Sequence, residues 1–238
     1  MYYSSAKLFL NICDSFNKRK IVNFLKQNNG NKMSVLVDVG AHYGESIKIF
    51  NKHFEINTTL SFEPSKKNFQ ILKEKVKNFK KVKIFNIAIG EISGEVDFKQ
   101  HFDSESSTVV RINENSNYFK KKKKYLNFFS KNKKNYSVIK VKIDRLDNIL
   151  KNLKLSRIDI LKIDTEGYDF SVIKGLGEMI KNVKFIYFEH HFHNMLEKKY
   201  TFYDVDTFMK KNNFKKVFKT KMFFRKTFEY IYKNNLEL

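Results

Sequence analysis

Carboxylates, glycines and a histidine recur in this sequence where apolar runs end. The run Val35-Leu-Val-Asp-Val39 carries Asp38 and is followed by Gly40 and Gly44. Gly40 permits a sharp turn and a close approach of a ligand to the backbone. Gly44 stands where a helix should begin, so free N–H groups there can meet a polar ligand. The spacing Asp-x-Gly-x-x-x-Gly is not the Gly-x-Gly-x-x-Gly that grips a dinucleotide pyrophosphate. Asp38 suits a cationic or hydroxyl-bearing ligand better than a phosphate; a ligand-free strand-to-helix turn has the same pattern. A second run, Thr58–Phe62, leads into Glu63-Pro64-Ser65. Glu63 can accept hydrogen bonds from ribose hydroxyls, as acidic residues at this place do in dinucleotide folds; it can also be a carboxylate favoured by a helix dipole. Past a third run, Asn86-Ile-Ala-Ile-Gly90 offers small residues, Ala88 and Gly90, that leave room for a flat ring. Asp164-Thr-Glu166 follows Ile158–Ile163, and Glu189-His190-His191 follows Val183–Phe188. The ordinary pKa of a histidine suits His190 to take a proton near neutrality; it can equally be a packed side chain. Asp164 and Glu166 can serve as base or orienter, or could hold a divalent metal that binds two substrate hydroxyls. The role of Lys162 stays open.

These residues need elements to position them. Apolar spacing predicts one or two amphipathic helices over 6–29, as a packing or lid element. Strands are expected at 35–39, 58–62, 82–86, 138–143, 158–163 and 183–188. Helices are expected after Gly44, over 66–79 with Ser65 as cap, at 144–153, after Gly167 and near 202–209. Glu95–Phe98 alternates like an exposed hairpin strand. Phe214–Phe218 and Met222–Phe224 read as closing antiparallel strands. Strands alternating with helices imply a doubly wound, mostly parallel α/β sheet with an antiparallel edge. Ligands in that architecture sit at the carboxyl ends of the strands, where Asp38, Glu63, Asn86, Asp164, Glu166 and His190 all fall. We read an N-terminal helical extension at 1–30 and one domain over 31–238, interrupted by a lysine-rich insertion at 111–136.

Composition narrows the function classes. The formal net charge is +22 over 238 residues, which invites a nucleic-acid reading. Arginine occurs at only five positions, so 42 of the 47 basic residues are lysine. Abundant Lys, Asn, Ile and Phe suit an AT-rich genome, and nucleic-acid readers lean on arginine for bidentate contacts. The pattern therefore argues against a nucleic-acid partner. The lysine block is most simply a solvated segment. Its interleaved aromatics over 119–134 could also touch an anionic substrate, nucleic acid or a membrane surface. The single cysteine, Cys13, excludes a disulfide framework and a thiolate cluster and fits a cytoplasmic location. The first residues do not read as a signal peptide, and no apolar stretch approaches the roughly 20 residues of a membrane span.

Four segments together resemble the FkbM family of S-adenosylmethionine-dependent methyltransferases. They are Val37-Asp-Val-Gly-Ala41 with Gly44, Phe62-Glu-Pro64, Asn86-Ile-Ala-Ile-Gly90, and Asp159-Ile-Leu-Lys-Ile-Asp-Thr-Glu-Gly-Tyr168. The resemblance spans about 34–190; the string Lys-Ile-Asp-x-Glu-Gly is its most specific part. His42 departs from the asparagine usual there, and the lysine-rich insertion is longer than the usual connection. The resemblance implies a class I methyltransferase fold and O-methylation of a sugar, a surface polysaccharide precursor or a natural product. It implies S-adenosylmethionine as cofactor, held by Asp38, Gly40, Gly44 and Glu63 with Asn86–Ala88 along the adenine. The acceptor would then be a small molecule or glycan, with Asp164, Glu166 and His190 as catalytic candidates. An RNA methyltransferase using the lysine-rich insertion, or a non-catalytic cofactor-binding protein, are the other readings.

Overall fold

A computed structural model describes residues 2–101, 107–121 and 136–236, with side chains from residue 13 onward. Most of the lysine-rich run 119–134, from residue 122, lies outside the described residues, as does part of the polar loop before Thr108.

The chain forms α1 (Tyr2–Asn29), β1 (Lys32–Val39), α2 (Glu45–His53), β2 (Glu55–Phe62), α3 (Lys66–Val76) and β3 (Val82–Phe85). Next come β4 (Ala88–Gly90), β5 (Gly94–His101), β6 (Tyr136–Arg145), α4 (Leu146–Asn152), β7 (Ile158–Ile163) and α5 (Asp169–Lys174). A 3-10 turn (Gly177–Asn182), β8 (Val183–His191), α6 (Phe202–Lys211), β9 (Phe214–Lys221) and β10 (Thr227–Asn234) complete the order.

Seven strands form one sheet in the order β3-β2-β1-β7-β8-β10-β9. The pairs β3–β2, β2–β1, β1–β7 and β7–β8 are parallel; β10 is antiparallel to both β8 and β9. Strand order reverses direction at β1/β7, the place where such sheets open a crevice at their carboxyl ends. All six residues of β7 are buried, as expected of a central strand covered on both faces. Alternation sorts the side chains. Leu36, Ile160 and Phe185 pack beneath Ile21, Val22 and Leu25 of α1 and Phe50 of α2. Val37, Leu161 and Ile186 face Leu146 of α4, Val172 of α5 and Val205 of α6.

Local chemistry explains the helix starts that bear on the site. Ser65 Oγ accepts from Asn68 N at 3.3 Å and caps α3. Thr201 and Asp204 close a reciprocal capping box on α6, satisfying N–H groups that have no partner within the helix.

Two expectations are corrected. The strand near 138–143 does not join the main sheet: β6 pairs parallel with β4 and antiparallel with β5 in a separate three-stranded sheet. Its alternating lysines leave one face exposed, which a central parallel strand does not tolerate. The second closing strand is Thr227–Asn234, not Met222–Phe224, and it lies between β8 and β9. Met222–Lys226 is the turn, closed by Met222 N donating to Thr227 O at 3.0 Å. Of the one or two helices expected in the N-terminal segment, the structure has one, continuous over Tyr2–Asn29.

Candidate active site

The β1–α2 turn is built first. Gly40 N and Ala41 N both donate to Phe62 O at 3.0 Å, and Asp164 N donates to Val39 O at 2.9 Å. This ties the ends of β1, β2 and β7 together. Gly40 has φ 80°, and a Cβ there would stand 1.9 Å from the Asp164 carbonyl oxygen. The glycine is therefore required by the end of β7 rather than by a ligand at its Cα, although its backbone borders the crevice. Gly44 has φ 85°, and its Cβ would meet Leu72 of α3 at 3.0 Å. It turns the chain into α2 and packs against α3; it does not border the crevice.

Asp38 is also displaced from the expected role. It is buried, and Lys162 Nζ lies 2.9 Å from its Oδ1, 3.6 Å from Asp164 Oδ2 and 3.1 Å from Gly40 O. Burial raises the Asp38 pKa against the opposing pull of Lys162. Burial works against the Lys162 charge, and the two carboxylates more than offset it. Asp38 thus clamps β1 to β7 through Lys162, beneath the crevice floor.

The crevice is an open cleft of about 630 Å³, solvent at its mouth included. It runs between the ends of β1, β2, β4 and β7 and takes in Gly40, Glu63, Ala88, Asp164 and Glu166 among the sequence candidates. Glu63 is its anchor. Its Oε2 accepts from His42 N at 2.9 Å; its Oε1 accepts from Ser65 N at 2.9 Å and from Asn68 Nδ2 at 3.5 Å. One carboxylate thus joins the glycine turn to the start of α3. Burial pushes its pKa up to about 7, against the lowering effect of those donors. Asn68 borders the cleft beside it, and its Oδ1 is buried without a hydrogen-bond partner among the described residues. Sequence reasoning missed Asn68; its place in the first turn after the Ser65 cap was the available signal. Asn86 is a brace: its Nδ2 donates to Glu63 O at 2.9 Å and Pro64 O at 3.0 Å. The ring-sized wall beyond it comes from Ile87, with Ala88, Ile89 and Phe98 contributed by the second sheet.

The opposite wall is the loop after β7. Thr165 N and Oγ1 donate to Asp169 Oδ1 at 3.2 and 3.1 Å. Thr108 Oγ1 donates to Glu166 O at 2.8 Å, and Tyr200 OH donates to Gly167 O at 2.9 Å. Glu166 and Gly167 both have positive φ, 51° and 90°, so the chain doubles back there. Burial raises Asp169 to about 6.

His190 is not at the cleft. β8 continues through His191, so Glu189 and His191 share one face and His190 takes the other. His190 is buried against Phe192, Tyr200 and Phe202, with Nε2 3.1 Å from Lys198 Nζ. Burial, then the Lys198 charge, lower its pKa to about 3. His191 is the histidine beside the site: its Nε2 lies 3.5 Å from Glu166 and 3.8 Å from Glu189, and its Nδ1 lies 3.1 Å from Thr227 Oγ1. Burial first, then Asp164 and Glu166, hold the Glu189 carboxyl well above the usual range. Asp164 and Glu166 contact different side chains, Lys162 and His191. Among the described residues no group of three or more His, Cys, Asp and Glu side chains is arranged to hold a metal ion.

A strand-turn-helix edge with a buried carboxylate at the end of β2 thus faces a Lys-Ile-Asp-Thr-Glu-Gly loop across the cleft. The sequence profile of the methyltransferase FkbM domain matches residues 38–216. The chain belongs to the FkbM family of methyltransferases. The match takes in every sequence candidate and ends within β9. No curated protein matches the chain by sequence. Among solved structures, this FkbM methyltransferase is similar to the methyltransferase FkbM from Methylobacillus flagellatus KT, with TM-score 0.56 and 14% identity, covering 85% of this chain and 44% of that one. It thus spans under half the length of that relative. It is also similar to the magnesium protoporphyrin IX methyltransferase of Synechocystis PCC 6803 with bound S-adenosylmethionine (TM-score 0.54, 7% identity, 94% and 81% covered). The N-methyltransferase NodS from Bradyrhizobium japonicum WM9 has the same fold (TM-score 0.52, 7% identity, 94% and 97% covered). These likenesses establish a class I methyltransferase fold. No helix among the described residues is long and apolar enough to cross a membrane.

Proposed function

We propose that this chain is an S-adenosylmethionine-dependent O-methyltransferase acting on a hydroxyl of a sugar, a surface polysaccharide precursor or a natural product. The observation that carries the cofactor assignment is Glu63: a buried carboxylate at the end of β2, inside the cleft, with its remaining acceptor capacity facing an open space. The residues fit the group. Glu63 offers acceptors to a ribose diol, Asn68 Oδ1 awaits a donor, and Ile87–Ile89 offer an apolar slot for adenine. Asp38, Gly44 and Asn86 act one layer below, shaping the cleft rather than touching its contents.

When bound, S-adenosylmethionine supplies an electrophilic methyl on a sulfonium. The chain's own residues must align an acceptor oxygen with that methyl and take the proton the oxygen loses. Asp164 and Glu166 border the cleft on the acceptor side. Glu166 receives the proton directly or orients His191 to do so, since His191 Nε2 lies beside it. Burial first, then the Asp164 and Glu166 charges, favour the neutral form of the Glu189 carboxyl beside them. Among the described residues no donor set for a metal supports metal-assisted transfer.

Calorimetric titration with S-adenosylmethionine, with NAD as control, tests the cofactor. Micromolar binding of the first alone is expected; equal binding of both, or of NAD only, refutes the reading. Transfer of labelled methyl to a glycan extract and not to RNA is expected next. Transfer to RNA alone would replace the glycan acceptor with a nucleic acid.

A further inference from the structure

The β9–β10 turn carries two features that methyl transfer does not use. Phe223 and Phe224 stand 43% and 77% exposed at adjacent positions, in a turn where Phe224 has φ 60°. An exposed aromatic ring and a left-handed backbone at a bulky residue are both unfavourable in water; asparagine or glycine would occupy the position with less strain. Around them, between Phe214 and Phe228, six residues are cationic and none is acidic. Lys219, Lys221 and Lys226 are exposed. Lysines on β9 protect the sheet edge from pairing with another strand, but edge protection does not call for two exposed rings at its end.

The turn is held firmly and sits at the cleft end of the sheet. Arg225 pairs with Asp14 of α1 at 2.9 Å, and Asn17 Nδ2 donates to Lys221 O at 3.0 Å. Thr227, the first residue after the turn, is the register partner of His191. We propose that this turn is a docking surface for an anionic lipid bilayer, with Phe223 and Phe224 entering the interface and Lys219, Lys221 and Lys226 meeting the headgroups. Aromatic rings favour the headgroup level and lysines the negative leaflet surface, so one turn satisfies both parts of the interface. Docking there places Glu166 and His191 on the bilayer side of the sheet. The proposal does not depend on the identity of the methyl acceptor.

Sedimentation of the full chain with vesicles tests it, using phosphatidylcholine alone and phosphatidylcholine with about one third phosphatidylglycerol. Binding is expected on the anionic vesicles and to weaken with salt. The charge of +22 alone produces some binding, so the rings are the criterion. The double variant Phe223→Ser/Phe224→Asn should lower partitioning about tenfold or more. Asparagine suits the left-handed position, so this variant should keep its melting temperature and its S-adenosylmethionine titration. Lys219→Gln/Lys221→Gln should cost about fivefold per lysine on anionic vesicles and nothing on neutral ones. Undiminished vesicle binding by the phenylalanine variant overturns the proposal. So does a monomer produced by that variant from an oligomeric parent, which would assign the rings to a second copy. Ring-dependent binding to single-stranded RNA that exceeds vesicle binding would overturn it in favour of nucleic acid.

Discussion

Glu63 illustrates how a single side chain couples the fold to pH. Burial lifts its pKa to about 7, while hydroxyl donors favour its ionised form. Affinity for S-adenosylmethionine should therefore rise as pH increases through about 7, and binding should release protons. Glu63→Gln should weaken binding by roughly tenfold or more and flatten that pH dependence; calorimetry in buffers of different ionisation enthalpy reads both effects. Unchanged affinity in the variant would remove Glu63 from the ribose. The two adjacent histidines should separate cleanly. His190 is neutral and packed among aromatic rings, so His190→Ala should cost about 2–4 kcal/mol of stability with turnover per folded molecule kept. His191→Ala should keep cofactor affinity and lower kcat. Equal turnover in the two variants would leave Glu166 as the sole base.

Elements explain why glycines that look alike in sequence differ in cost. Gly30 and Gly40 both have φ near 80°. A Cβ at Gly30 meets nothing within 4 Å, whereas at Gly40 it meets the Asp164 carbonyl at 1.9 Å. Gly30→Ala should cost only the backbone term, about 1–2 kcal/mol. Gly40→Ala must also part β1 from the end of β7, and should cost at least about 3 kcal/mol or prevent folding; denaturant titration compares the two. Similar losses would mean that the β1/β7 junction yields more easily than its hydrogen bonds suggest. The same logic governs β8. Its alternation, carried three residues further than apolar content alone indicated, turns His191 toward Glu166 and His190 away. The register Glu189–Glu229 and His191–Thr227 across β10 fixes that choice.

At the scale of the molecule, buried ionisable groups set the response to pH. Glu63 and Glu229 are raised to about 7 and Asp169 to about 6, all chiefly by burial. Between their unfolded values and these, the folded chain binds more protons, so their contribution to stability falls as pH rises. His190, lowered to about 3, acts in the opposite sense, since the unfolded chain then binds its proton below the ordinary histidine range. Asp38 and Glu189, also raised by burial, act in the same sense as these three, and His190 alone opposes them, so the melting temperature should decline from about pH 5 to about pH 7. Cofactor should recover part of the loss by pairing Glu63. A melting temperature that climbs steadily over that range would show that these carboxyls ionise without penalty in the folded protein.

Much of this molecule was legible in its residues. Alternating apolar runs and helical stripes specify a doubly wound sheet, because each period admits one way of burying its face. Turn chemistry marks the strand ends, and ligand-bearing residues collect there by the rules of parallel sheets. The four motif segments were sufficient to indicate the family. Three things awaited the tertiary structure. Whether a motif residue borders the cleft or braces it depends on what stands opposite: Asp38 meets Lys162, Gly44 meets α3, and Asn86 meets the Glu63–Pro64 carbonyls. Whether a strand joins the main sheet depends on partners distant in sequence, which is why β6 pairs with β4 and β5. Which of two neighbouring histidines reaches the site depends on where a strand stops, a long-range pairing with β10 that local sequence does not encode.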